Sequence, residues 1–246
     1  MLVARHLVVW ALLSWAAAAW AQQGGDYQAQ ILYAYQTEDT NSLANLSQDL
    51  TARVKEDGND ASLRYHLAHA QYRRGLLTPR AHEAETAFAD CIDQLKPVLS
   101  QDVKSVEALV LQSACYAGLA DRRKMESVLL RARSDERLNA ALKLAPRNPR
   151  AVLLSSMDGL ARAKPGTAER QHAFAQLQLA VQLFDESSAT SIDTPGWGHA
   201  EAYLALGREL QARGDRLGAR NWIEKSLIVA PDYKAAQRQL ALLTHH

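Results

Sequence analysis

The stretch from Ala200 to Tyr233 constrains the fold of this 246-residue chain more than any other segment. Small, apolar and turn-forming residues recur in it at spacings typical of two short helices, at Tyr203, Leu206, Gly207, Leu210, Gly214, Ala219, Ile223 and Pro231. Gly207 and Ala219 are small where the two helices would approach most closely, and Gly214 provides the turn. Pro231 ends the second helix because it cannot donate a helical hydrogen bond. The pattern therefore predicts an antiparallel helical hairpin.

This spacing resembles one tetratricopeptide (TPR) repeat, a helix–turn–helix unit of about 34 residues. The segment departs from the family pattern at Ser226, where the family usually has alanine. The resemblance implies an array of stacked hairpins whose usual work is to hold other proteins. It does not identify the partner.

Further helix pairs are predicted upstream of this repeat, at 26–55, 61–95, 102–144 and 150–186, and a last helix at 232–243. Abundant Ala and Leu and few aromatic residues favour helix over sheet. Pro97 is expected to kink or end its helix, and 121–144 is expected to form one long helix. We predict an all-α, right-handed α-solenoid of about five TPR-like hairpins with a C-terminal capping helix, spanning residues 22–246.

The first 21 residues have the pattern of a cleaved signal peptide. A short basic start at Arg5 and His6 precedes an apolar run, and Ala19-Trp20-Ala21 has the small-x-small form that signal peptidase accepts. A membrane anchor is the alternative, but the run is about 14 residues and spanning needs about 20. We expect an exported chain without stable membrane insertion after cleavage, periplasmic in a Gram-negative host or else secreted.

Two cysteines, Cys91 and Cys115, lie on consecutive predicted helices that would pack together. Their spacing matches no zinc or redox motif. In an oxidising compartment they are expected either to form a disulfide or to remain two separate buried thiols.

The resemblance implies that the first helix of each pair lines a concave groove. In the second pair the implied groove positions are Ser62, Tyr65, His66, His69, Tyr72 and Arg73. Tyr65, His69 and Tyr72 fall on one helical stripe, and tyrosine and arginine are effective interface anchors. Alternatively, the tyrosines pack between helices and the histidines are solvated. His66 and His69 have a spacing that could hold a metal, but no third ligand is evident, so no metal site is predicted.

The implied groove positions of the fourth pair form a more apolar stripe: Arg150, Leu153, Leu154, Met157 and Leu160. This stripe is expected to be core or, if it faces the groove, to suit an amphipathic helix or an acyl chain.

Trp197 lies between two glycines, where it would plug the core between repeats or touch a ligand. The basic clusters at 122–124 and 131–133 alternate with acids and are expected to be solvated.

Composition narrows the function further. The net charge is +1, so no basic excess indicates nucleic-acid binding. No nucleotide-binding, zinc-protease or serine-hydrolase motif is present, and no cofactor is predicted. We predict a non-catalytic adaptor or scaffold that binds a protein or peptide partner in a cell-envelope complex. The alternative is a carrier that binds a small apolar ligand in the groove of the middle repeats.

Overall fold

A computed structural model describes residues 27–188 and 195–244. The predicted signal peptide at 1–21 lies outside these residues. Within the described ranges all regular structure is helical, and no helix there is both long and apolar enough to cross a membrane. In chain order the helices are α1 (Tyr27–Gln36), α2 (Thr40–Glu56), α3 (Ala61–Leu77), α4 (Ala81–Gln101), α5 (Val106–Arg122), α6 (Ser127–Leu144), α7 (Pro149–Arg162), α8 (Ala168–Ser188), α9 (His199–Ala212), α10 (Arg216–Val229) and α11 (Lys234–Thr244).

The helices pack as consecutive hairpins, α1/α2 through α9/α10, and each hairpin packs on the next. Helix α11 covers the end of the last hairpin. Short connections force neighbouring helices to run antiparallel. The predicted all-α array of helix pairs with a final capping helix is confirmed by this arrangement.

Several helices begin at side chains that satisfy the free amides of the first turn. Asp60 accepts hydrogen bonds from the Ser62 and Leu63 amides at 2.8 and 3.0 Å. Asn148 and Asp215 cap α7 and α10 in the same way. Each such cap contributes about 1 kcal/mol to helix stability. The hairpin boundaries are therefore encoded locally.

Two of the expected helix boundaries were wrong. Helix α4 continues through Pro97 to Gln101, because buried Leu95 and Val98 hold its last turn against the core and compensate the lost hydrogen bond. The segment 121–144 is not one helix, since a 3₁₀ turn at Lys124–Glu126 separates α5 from α6. There the Ser127 hydroxyl donates to the Lys124 carbonyl at 2.9 Å.

The two ends of the array contact each other. Arg238 on α11 donates to the Glu38 carboxylate beside α1, with one of the two hydrogen bonds 2.9 Å long. The rings of Tyr35 and Tyr233 lie 6.1 Å apart in the same region. The first hairpin thus meets the capping helix, and the array closes on itself.

Cys91 on α4 and Cys115 on α5 are joined in a disulfide, with their Cα atoms 6.2 Å apart. Both are fully buried in the core cluster that contains Phe88. The bridge crosses between the second and third hairpins at the point where their helices pack most closely around that ring.

We predict that thiol titration of the unfolded, unreduced chain finds no free cysteine. Because the bridge closes a loop of 24 residues in the sequence, reduction should cost about 3 kcal/mol of unfolding free energy. Thermal melting with and without reductant measures this loss. The double variant Cys91→Ala, Cys115→Ala is the control, since its melting should not respond to reductant. Two titratable thiols in the unreduced chain would contradict the prediction.

Candidate functional site

The chain's own segment 195–198, which leads into α9, covers the face of α3 that carries the implied groove residues Tyr65 and His69. Trp197 projects from this segment and is only 3% exposed. Its indole Nε1 donates to the Tyr65 hydroxyl at 3.1 Å, and its ring centroid lies 5.8 Å from that of His69. The Trp197 ring also belongs to a buried core cluster with Leu109, Val110 and Ala151, so it fills the core between hairpins, one of the two roles expected for it.

Two buried arginines flank the Trp197 ring. The guanidinium carbon of Arg73 lies 5.5 Å from the ring centroid, and that of Arg150 lies 5.8 Å away. Desolvated cation–π contacts of this kind are worth about 2 kcal/mol. We call the group formed by Tyr65, His69, Arg73, Glu107, Arg150, Trp197 and Glu201 the Trp197 cluster.

Arg150, at the start of α7, holds the segment through its backbone. Its guanidinium binds both carboxylate oxygens of Glu107 on α5, at 2.7 and 2.8 Å. The remaining nitrogen donates to the Pro195 carbonyl at 2.7 Å. Asn148 also donates to Glu107, at 2.7 Å. A two-point pair of this kind fixes the position of the arginine as well as its charge.

Arg73, on α3, reaches across the array to α9. It donates to the Glu201 carboxylate at 2.7 Å and to the His69 Nε2 at 3.0 Å. Its guanidinium carbon lies 4.1 Å from the centre of the Tyr35 ring. The second Glu201 oxygen accepts from the Gly198 amide at 3.1 Å. One carboxylate therefore ties α3, the 195–198 segment and α9 together.

Glycines on both sides of Trp197 make this approach possible. A Cβ at Gly196 would lie 2.8 Å from the Gln28 side chain. Gly198 has φ +107, and a Cβ there would lie 2.5 Å from the Phe184 ring. Glycine tolerates this backbone conformation without steric cost. The Gly-Trp-Gly sequence thus fits the space on both sides of the ring.

Burial sets the ionisation of the cluster. It holds the pKa of His69 well below its usual range, assisted by the charges of Arg73, His66 and Arg150. The imidazole is therefore neutral and accepts the hydrogen bond from Arg73. Burial also raises the pKa of the Tyr65 hydroxyl above its usual range. Each arginine of the cluster is paired with one glutamate, Arg73 with Glu201 and Arg150 with Glu107.

The structure brings the implied groove residues of the second hairpin together on α3. His69 and Arg73 are buried, and Tyr65, His66 and Tyr72 are half-buried. Tyr72 packs at 6.2 Å from Phe88, and His66 lies 6.2 Å from Tyr27. In this conformation these side chains are in contact with other residues of the same chain. Within the described residues, no group of three metal-binding side chains includes the two histidines.

The apolar stripe on α7 divides into buried and exposed parts. Leu153 packs with Phe174 and Phe184 in the core of the fourth hairpin. Leu154 and Leu160 are half-buried, and Met157 is 46% exposed. Met157 is therefore the member of the stripe that reaches solvent most fully.

Sequence reasoning missed Glu107, Glu201 and Tyr35 as parts of this site. The two glutamates look like ordinary first-turn acids of α5 and α9, and their partners lie 43 and 128 residues away in sequence. Trp197 between two glycines was the one local signal that pointed to the segment.

Comparison with known proteins supports the fold. Among solved structures, the chain is similar to a thermophilic TPR protein of Thermus thermophilus, with a TM-score of 0.60 and 18% identity. The match covers 89% of this chain and 100% of that one. No family model and no curated protein matches the sequence. The chain therefore has the TPR fold.

We predict that Glu201→Gln lowers the unfolding free energy by about 3 kcal/mol, because it leaves the buried Arg73 charge unpaired. Urea unfolding followed by circular dichroism measures the loss. Glu83→Gln is the matched control, since Glu83 pairs with Arg80 on the surface and should change stability by less than about 1 kcal/mol. Equal losses in the two variants would contradict a special role for the cluster.

His69 should make stability depend on pH. Its folded pKa is depressed, so below its unfolded pKa near 6.5 only the unfolded chain binds the proton there. Its contribution is therefore full above that pH and is lost as pH falls from 7 towards 5, by up to about 1.4 kcal/mol per pH unit.

The variant His69→Gln should reduce this slope, because its amide oxygen still accepts from Arg73 and does not titrate. Urea unfolding at a series of pH values compares it with His82→Gln, whose histidine is exposed on α4. A slope in His69→Gln as steep as in the wild-type chain would rule out His69 as its source.

Proposed function

We propose that this protein is a non-catalytic adaptor of a cell-envelope complex, exported to the periplasm. The observation that carries the proposal is the TPR fold, which extends over 89% of the chain. Arrays of this fold present long, rigid helical surfaces, and such surfaces suit protein recognition. The fold thus supports a protein or peptide partner.

Export is supported by two independent features. The first 21 residues have the pattern of a signal peptide. Downstream, the chain's two cysteines form one disulfide, a crosslink that persists in oxidising compartments. Both features agree with a periplasmic adaptor.

The part of the proposed concave surface that reaches solvent lies beyond the Trp197 cluster, on α7. Met157 is the exposed residue there, and half-buried Leu154 and Leu160 flank it. A flexible methionine beside apolar neighbours can adapt to a peptide side chain. In this conformation Tyr65, Tyr72 and Arg73 would support the proposed binding surface from within the array. The alternative carrier function would use the same apolar stripe on α7. Leu153 in that stripe packs in the core and is not free to contact a ligand, so we favour the adaptor function.

The decisive experiment is crosslinking and affinity purification of the tagged chain from the periplasmic fraction of its host. We expect the chain in that fraction, with its leader removed, and an envelope protein recovered in near-stoichiometric amount. A chain confined to the cytoplasm would overturn the localisation. Recovery no greater than from an untagged strain would overturn the adaptor function.

A second arm locates the surface. Met157→Glu should reduce recovery of that partner at least about tenfold, since a charge would be desolvated in the interface. Val103→Glu is the control, because Val103 is also an exposed apolar residue but lies in the connection between α4 and α5. Equal recovery by both variants would remove Met157 from the interface.

A further inference from the structure

The N-terminal half of α6 carries an apolar stripe that no described residue covers. Met125, in the preceding turn, is fully exposed, Val128 is 84% exposed and Leu129 is 55% exposed. Ala132 continues the stripe and is also exposed. The spacings of three, four and seven residues place these side chains on one helix face. We call Met125, Val128, Leu129 and Ala132 the α6 stripe.

The α6 stripe lies on the outer side of the array, away from the Trp197 cluster. The opposite face of α6 is the one that packs inward, through buried Leu130, Ser134 and Leu138. Packing of the array is therefore complete without the stripe. The stripe is not a requirement of the fold.

Equivalent helices show that the architecture does not need an apolar outer face. Helix α4, the second helix of its hairpin, exposes Thr86, Asp93 and Ser100. Helix α8, in the next hairpin, exposes Gln171, Gln178 and Gln182. Helix α10 exposes Leu217 and Ile228, but these lie at its two ends, eleven residues apart. The outer face of α6 differs because its exposed apolar residues are contiguous, and surface of this kind commonly marks an interaction site.

Unpaired positive charges surround the α6 stripe. Arg122, Lys124 and Arg133 are exposed and form no ion pair with any described residue, and the Arg133 guanidinium carbon lies 6.0 Å from the centre of the Tyr116 ring. Arg137 is half-buried and likewise forms no ion pair there. Neighbouring arginines behave differently, since Arg131 pairs with Asp121. The cations along this edge are therefore available to an acidic partner.

We propose that the α6 stripe binds an amphipathic helix of a partner protein, one whose apolar face is flanked by acidic residues. The stripe is about 10 Å long, which is two turns of helix, and a helix laid along it would present its own apolar residues at the same spacing. Carboxylates beside that face would meet Arg133, Arg137 and Lys124. This partner surface is separate from Met157, so it extends the adaptor function without depending on the concave side.

A helix fits this surface better than an anionic bilayer does. Glu136 is exposed and continues the line of the stripe by one further turn. Anionic lipid would repel this carboxylate, whereas a partner helix can place a basic residue opposite it. The mixed charge pattern therefore favours a protein over a membrane surface.

The test uses the purified exported chain and two labelled synthetic helical peptides of roughly sixteen residues, a length that covers the stripe with a turn to spare at each end. Both carry leucines at spacings of three and four; one is flanked by glutamates and the other by lysines. Fluorescence anisotropy measures binding. We expect the acidic peptide to bind at least about tenfold more tightly than the basic one, with an affinity that falls as salt is added.

Variants locate the binding. Val128→Ser with Leu129→Ser should weaken the acidic peptide at least about tenfold. The control pair Leu217→Ser with Ile228→Ser, equally exposed on α10, should leave binding unchanged. Arg133→Glu with Arg137→Glu should reverse the preference between the two peptides. Circular dichroism verifies that each variant is folded.

Other occupants are outcomes that would overturn the proposal. These are equal affinity for the two peptides, loss of binding in the α10 control, or binding to phosphatidylglycerol vesicles with none to the acidic peptide. A dimer in analytical ultracentrifugation that disappears in the stripe variant would assign the surface to a second copy of the chain. None of these outcomes affects whether an envelope partner is recovered from the host. The adaptor function is therefore tested separately, by the affinity purification.

Discussion

The buried ion pair between Arg73 and Glu201 is the interaction on which the rest of the structure depends. A guanidinium that is 2% exposed can remain charged only if a carboxylate lies against it and its other donors are satisfied. Glu201 and His69 meet that need. Because Arg73 belongs to the second hairpin and Glu201 to the fifth, the pair joins two hairpins that are distant in the sequence.

Closure changes how such an array behaves. An open repeat protein is stabilised by its hairpins and by contacts between neighbours only. Here the Tyr65–Trp197 and Glu38–Arg238 contacts join hairpins that are far apart in sequence. Loss of any one hairpin also breaks these distant contacts, so the array should unfold more cooperatively than an open one. The same closure covers Tyr65 and His69, two of the residues that the family resemblance implied for the groove.

The sequence was sufficient for the local part of this fold. The 200–233 repeat with Pro231 after its second helix, and the caps at Asp60 and Asn148, are encoded within a few residues, and the hairpins follow from them. The contacts that close the array could not be predicted from the sequence. Helical periodicity shows which face of a helix a residue lies on, but it does not show which distant element covers that face. His69 and Arg73 illustrate the difference. The family resemblance placed them together on one side of α3, but the residue that covers them, Trp197, lies more than a hundred residues downstream.

Two features of this array differ from the usual distribution of polar residues outside and apolar residues inside. Charged and polar side chains, Arg73 and His69, lie inside it, whereas Val128 and Leu129 lie outside. The inward departure is compensated by Glu201 and Trp197, so it produces a closed and specific shape. The outward one has no compensation within the described chain, and it costs free energy in water. An exposed apolar face beside unpaired cations does not stabilise the isolated fold. We therefore expect this face to be buried in a complex with another molecule.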